Sequence, residues 1–216
     1  MEIKVMKRVL DKNQDKAEQV RALLMEKQVK MYNFISSPGA GKTALLERTL
    51  AHLNGEIRIG IIEGDVSTDR DAQRLKQYNN PIVLINTEGG CHLDSNSIER
   101  ALFEFNLDEL DVLFVENVGN LVCPSHFDLG ETAKIALVST SEGDDKPIKY
   151  PMLFRDAEAV ILNKMDLLEY TNFNYQNFVK DLREVNPNVP LIETSCSKNT
   201  GLEGWYEWLK KNIGQK

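Results

Sequence analysis

The sequence has no apolar run approaching the ~20 residues that a membrane-spanning helix requires, and its N-terminus lacks the continuous hydrophobic stretch of a secretory signal. No membrane association is expected, and the cytoplasm is the expected compartment. Cysteine is scarce. Three in 216 residues is an odd count that builds no disulfide framework and leaves reduced thiols or metal ligands as the readings. Positive charge is not in excess either: 26 Lys and Arg stand against 33 Asp and Glu, for a formal net charge of -7. That balance argues against a pervasive basic face for nucleic acid, while local sites for small anions stay open. Low-complexity tracts and internal repeats are also missing.

What is present is 42% hydrophobic and 27% charged residues, enough for one globular domain with a substantial core. Residues 1–30 are locally basic, with eight Lys and Arg against five acids. From Ala17 the positions Ala17, Val20, Leu23 and Leu24 recur at helical spacing, so residues 1–29 read as an amphipathic helical segment and 30–216 as the main domain. Apolar runs of strand length occur at Tyr32–Ser36, Arg58–Glu63, Ile82–Asn86, Val112–Glu116, Ile135–Ser139, Ala159–Asn163 and Leu191–Thr194. Helical patterns fall between most of them, at Thr43–His52, Asp69–Gln77, Asn96–Phe105, Phe173–Val185 and Leu202–Asn212. This alternation predicts an α/β fold, a mainly parallel sheet flanked by helices on both faces. Ligands bind beyond the C-terminal strand ends of such sheets. The polar stretch Ser139–Lys149 reads as a loop inserted in that domain.

Ser36–Thr43 reads S-S-P-G-A-G-K-T at the end of one expected strand and the start of an expected helix, the context of a phosphate-binding P-loop. Gly39, Ala40 and Gly41 would wrap backbone N–H groups around phosphate at a helix N-terminus. Lys42 would reach the β- and γ-phosphates and Thr43 would ligate Mg²⁺. Ser36 stands where the usual pattern has its first glycine. An ordinary glycine-rich turn capping a helix is the bland alternative.

Asn163–Asp166, N-K-M-D, begins where another strand should end. A carboxylate at Asp166 accepts two hydrogen bonds from guanine N1–H and the 2-amino group, a pair of donors that adenine does not offer. Lys164 would cover the base and Asn163 would brace the loop. Ser195 and Cys196, in S-C-S-K, are placed to support guanine from its other side. Asp65 and Glu116 are candidates for the Mg²⁺ and water site, and Gly119 for sensing the γ-phosphate through its backbone N–H. Solvated strand-end carboxylates are the alternative for both acids. No arginine in the sequence declares itself as an internal catalytic finger, so intrinsic hydrolysis is expected to be slow.

Cys91 and His92 are adjacent in G-G-C-H-L, and Cys123 follows Glu116 and Gly119 in N-L-V-C-P. Thiolate and imidazole suit Zn²⁺ or Ni²⁺ rather than Mg²⁺. Three donors leave a site incomplete, and a two-fold interface would supply a second set. Small buried thiols and a surface histidine are the competing account. His126 reads as structure rather than as an accessory ligand, and His52 as exposed structure.

With these motifs the chain resembles the HypB-type GTPases within the SIMIBI class of dimerising P-loop proteins. The resemblance runs from about Lys30 to the C-terminus through S-S-P-G-A-G-K-T, E-G-D-V-S-T-D-R-D-A, G-G-C-H-L, E-N-V-G-N-L-V-C-P and N-K-M-D. It implies GTP hydrolysis to GDP, a GTP-promoted homodimer, and Ni²⁺ or Zn²⁺ at Cys91, His92 and Cys123. It also implies delivery of nickel to hydrogenase, with hydrogenase maturation proteins and the hydrogenase large subunit as partners. Some members carry a Cys- or His-rich N-terminal segment. Residues 1–30 hold neither residue type, so no further high-affinity nickel site is expected within them. A urease-type nickel chaperone, whose metal motif reads Cys-Pro-His, is the nearest alternative. A metal-independent regulatory GTPase and a nonhydrolysing scaffold are the others.

Overall fold

A computed structural model describes residues 9–53, 55–65 and 70–214, with the side chains at 9, 10, 65 and 70–72 outside the description. Seven strands form one sheet: β1 (Lys30–Ser36), β2 (Ile59–Asp65), β3 (Ile82–Asn86), β4 (Val112–Glu116), β5 (Ala133–Ser139), β6 (Ala157–Asn163) and β7 (Leu191–Glu193). Every pairing is parallel, in the order β3-β2-β4-β1-β5-β6-β7. The described helices are α1 (Val9–Glu26), α2 (Lys42–Leu53), α3 (Arg70–Leu75), α4 (Ser95–Leu102), α5 (Cys123–His126), α6 (Lys146–Lys149), α7 (Pro151–Asp156), α8 (Tyr175–Val185) and α9 (Glu203–Ile213).

Helices cover both faces, so the central strands are apolar along their length rather than alternating, and all five residues of β4 are buried. Successive side chains still point to opposite faces. Tyr32 and Phe34 pack with Leu45, Leu46 and Trp205 beneath α2 and α9, whereas Met31 packs with Val20, Leu24 and Ile98 beneath α1 and α4. Ile35 joins Phe154, Phe178 and Leu182 under α7 and α8. Each such fully buried side chain contributes roughly 1.5–3 kcal/mol. The edge strand β3 is only half covered, and Leu84 is exposed.

The N-terminal helix, described over Val9–Glu26, lies within the helical segment expected at residues 1–29. Polar contacts help to hold it: Asn13 Oδ1 accepts from the Ser95 N–H at 2.9 Å, and Lys16 Nζ bonds Glu99 at 2.9 Å. The stretch Ser139–Lys149 is not loop throughout, because Lys146–Lys149 forms a short helix that Pro147 opens.

The chain places β4 on one side of β1 and β5 on the other. The loop after β1 therefore opens at the point where strand order reverses, the usual ligand crevice of such sheets.

Candidate functional site

The loop from Ser36 to Thr43 turns at Gly39 and Gly41, whose φ values of 74° and 109° lie in the region that favours glycine. At Gly41 a Cβ would also collide with the Asn163 amide. Lys42 and Thr43, at the start of α2, are buried. Lys42 Nζ donates to Ser36 Oγ at 3.0 Å and Thr43 Oγ1 donates to Glu116 Oε1 at 2.8 Å. Beside them lies a cavity of about 470 Å³, bounded by the P-loop, Glu63 and Gly64 of β2, Arg74, and the run Glu116–Gly119. Gly119 lies against the Pro38 backbone, where a Cβ would approach Pro38 Cα to 2.9 Å.

Two residues on that cavity wall escaped the reading of the sequence. Glu63 is 3% exposed, and the parallel register sets it directly beside Glu116. Two neighbouring buried carboxylates favour a cation between them. Strand periodicity could have raised Glu63, since it shares parity with Asp65, but only the β2–β4 pairing brings it to Glu116. Arg74 is the second: it reaches the cavity while bonded to Glu47 at 2.6 Å. Asp65 ends β2, and its side chain, with residues 66–69 of the same motif, lies outside the described residues.

On the other side of β1, Asn163 at the end of β6 is buried and joins three loops. Its Nδ2 donates to Ala40 O of the P-loop at 2.9 Å, while its Oδ1 accepts from Thr194 Oγ1 and from the Cys196 N–H, both at 3.2 Å. Lys164 follows in the left-handed region with φ 61°, and its Nζ bonds Gly39 O at 2.7 Å. Asp166 accepts from Ser195 Oγ at 2.5 Å and from Ser197 Oγ at 3.1 Å. The Ser195 bond holds its carboxyl below the usual carboxylate range. Burial pushes the Cys196 thiol up to about 11, so this sulfur serves as a small apolar packer.

Cys91, His92 and Cys123 come together although 29 residues of sequence separate His92's loop from the start of α5; one donor atom from each lies within 4.8 Å of the others. Cys91 Sγ is 3.4 Å from His92 Nδ1. A hydrogen bond with Cys123 raises the Cys91 thiol, and burial lowers His92. The imidazole packs on the Phe127 ring, with centroids 3.8 Å apart. Asp94 caps α4 by accepting from the Ser97 N–H at 2.7 Å, which fixes where the Cys91–Leu93 loop ends. His126 is not in this cluster: its Nδ1 faces Val122 O at 2.8 Å. His52 is exposed and stacks on Tyr206.

Residues 30–193 match the family described as CobW/HypB/UreG, nucleotide-binding domain. The "Hydrogenase maturation factor HypB" of Escherichia coli (strain K12) is 45% identical over 202 residues, covering 94% of this chain and 70% of that protein. The chain belongs to the HypB family. Another HypB, the "Hydrogenase/urease maturation factor HypB" of Helicobacter hepaticus, is 42% identical over 217 residues, covering 99% of this chain and 89% of that one. The crystal structure of HypB from Helicobacter pylori in complex with nickel superposes with a TM-score of 0.87 at 37% identity, over 94% of this chain and 95% of that one. The fold is accordingly that of a P-loop nucleotide-binding protein of the SIMIBI type. Among the described residues no helix is long and apolar enough to cross a membrane.

Proposed function

We propose that this HypB-family chain is a cytoplasmic GTPase and metallochaperone that binds nickel, or zinc, and assists nickel insertion into hydrogenase during its maturation. The observation that carries this reading is the cluster of Cys91, His92 and Cys123. It stands on the loops after β3 and β4, and the second of these loops also lines the phosphate cavity through Asn117–Gly119. Two thiols and an imidazole fit a borderline divalent metal and not Mg²⁺. The nickel-bound Helicobacter pylori relative supports the same reading.

In hydrolysis a water oxygen attacks the γ-phosphorus, the bond to the bridging oxygen breaks, and GDP and phosphate leave. Lys42 turns from Ser36 to the β- and γ-phosphates, while the P-loop N–H groups hold the phosphates in line. Thr43 and Glu116, with Asp65, would hold Mg²⁺, which neutralises phosphate charge when bound. Gly119 offers its N–H to the γ-phosphate. Asp166 reads guanine, braced by Ser195, and Lys164 and Asn163 set the loop beneath the base.

Three donors from one chain suit a metal shared across a two-fold axis, so GTP promotes a homodimer in this reading. The segment carrying Asp144, Asp145, Lys146 and Lys149 forms its lid. Hydrogenase maturation proteins and the hydrogenase large subunit are the partners. Urease maturation is the second reading, favoured by the name of the Helicobacter hepaticus relative. The test is GTP turnover and Ni²⁺ titration of the purified protein, with and without the Cys91 and His92 side chains. Absence of turnover or of stoichiometric nickel binding overturns the proposal.

A further inference from the structure

Asn117 directly follows Glu116 and is 1% exposed. Its Oδ1 accepts from the Leu93 N–H at 3.2 Å and from the Val118 N–H at 2.9 Å. Its Nδ2 donates to Asn33 Oδ1 at 3.1 Å, and its own backbone N–H donates to Phe34 O at 3.2 Å. The chain of bonds continues through the sheet. Asn33 Nδ2 donates to Glu131 Oε1 at 3.3 Å, and the other oxygen of that carboxyl accepts from the Leu129 N–H at 2.6 Å. The Leu93 and Val118 N–H groups can only donate, so Asn117 presents its oxygen to them and its Nδ2 to the oxygen of Asn33.

Leu93 is the residue after His92, and its side chain lies over Gly64 of β2, where a Cβ would come within 2.8 Å. One carboxamide therefore grips the backbone beside a metal donor while belonging to the run Asn117–Gly119 that walls the phosphate cavity. Asn120 adds an outer tie from the same loop: its Nδ2 donates to Cys91 O at 3.3 Å. That loop continues to Cys123. A displacement of 117–119 at the phosphate end has to move Leu93, break its bond, or both, because a buried N–H left unpaired is costly.

We propose that Asn117 is the positioning residue through which nucleotide state sets metal affinity, by coupling the γ-phosphate side of the cavity to the backbone of the Cys91–Leu93 loop. The proposal rests on the nucleotide and metal reading above. Metal–ligand distances tolerate only ~0.2 Å, so a small shift in this loop alters the donor set. Nickel Kd values in the GDP-bound and GTP-analogue-bound wild-type protein are expected to differ about tenfold.

The experiment is isothermal titration of Ni²⁺ into protein saturated with GDP or with a nonhydrolysable GTP analogue, so that altered nucleotide affinity drops out of the ratio. For Asn117→Ala the ratio of the two Kd values is expected to fall to within about twofold. A merely structural loss would weaken nickel in both states and leave the ratio unchanged. Should Asn117→Ala fail to fold, Asn33→Ala, which frees the Asn117 amide from its brace, is expected to bring the ratio below about threefold. A wild-type ratio near one overturns the coupling itself. A wild-type ratio near ten that survives unchanged in Asn117→Ala, or in Asn33→Ala where that substitutes, overturns the assignment to Asn117 alone.

Discussion

Around β6 and β7 the loops at the sheet's C-terminal edge lock one another: Asn163 spans the P-loop, Thr194 and Cys196, and Asp166 already has two serine donors. Around β2 and β4 the same edge instead encloses a cavity walled by Glu63 and Glu116, with a single buried asparagine tying its wall to the Cys91–Leu93 loop. In the proposed function the first is the base side, and its preorganisation suits recognition of a group that does not change during turnover. The phosphate side has space and few ties, which suits a group that is lost in turnover and a response that must travel.

The comparison breaks most readily at Lys42, on the cavity side. Lys42→Ala should reduce GTP turnover by more than about 100-fold, with circular dichroism unchanged, because among the described residues its ammonium bonds the loop's own Ser36. Normal turnover in the folded variant would remove the P-loop role. On the base side, Asp166→Asn should weaken GTP about 100-fold and favour xanthine nucleotide, since the amide sets an N–H against a guanine donor. Competition among GTP, ATP and XTP reads this, and an unchanged preference for GTP would detach Asp166 from guanine. The lowered carboxyl of Asp166 adds a sign: it stays ionised below the ordinary carboxylate range, so guanine binding should persist as pH falls to that range and fail only beneath it.

On the phosphate side, Cys123→Ser should weaken nickel about tenfold or more while GDP affinity stays within a few-fold, because the thiol belongs to α5 and not to the cavity wall. Equal nickel affinity in the variant would make the cluster incidental. The smallest effect is a factor of two in mass. Light scattering with a nonhydrolysable GTP analogue should show twice the mass of the nucleotide-free protein, and a monomer in both conditions would count against the shared metal site.

The strands were legible because buried parallel strands are continuous apolar runs; Ile82–Asn86 and Val112–Glu116 occur where the runs place them. The short helices were not. α5, α6 and α7 span four to six residues, too few for a helical period to register, and each begins at or beside a proline that reads as a break. The polar anchors of α1 were not legible either, because Asn13 and Lys16 pair with Ser95 and Glu99, far away in sequence.

The local turns were legible in the sequence alone. S-S-P-G-A-G-K-T stands between an apolar run and a helical pattern, and N-K-M-D at the end of another apolar run, where β1, α2 and β6 begin and end. The meeting of Cys123 with Cys91 and His92, the pairing of Glu63 with Glu116, the arrival of Arg74 at the cavity and the grip of Asn117 on Leu93 were decided by tertiary structure. Each depends on which strands lie side by side. A parallel sheet chooses that order by burying whole faces against helices, an energy spread over dozens of side chains and written in no single stretch of the chain.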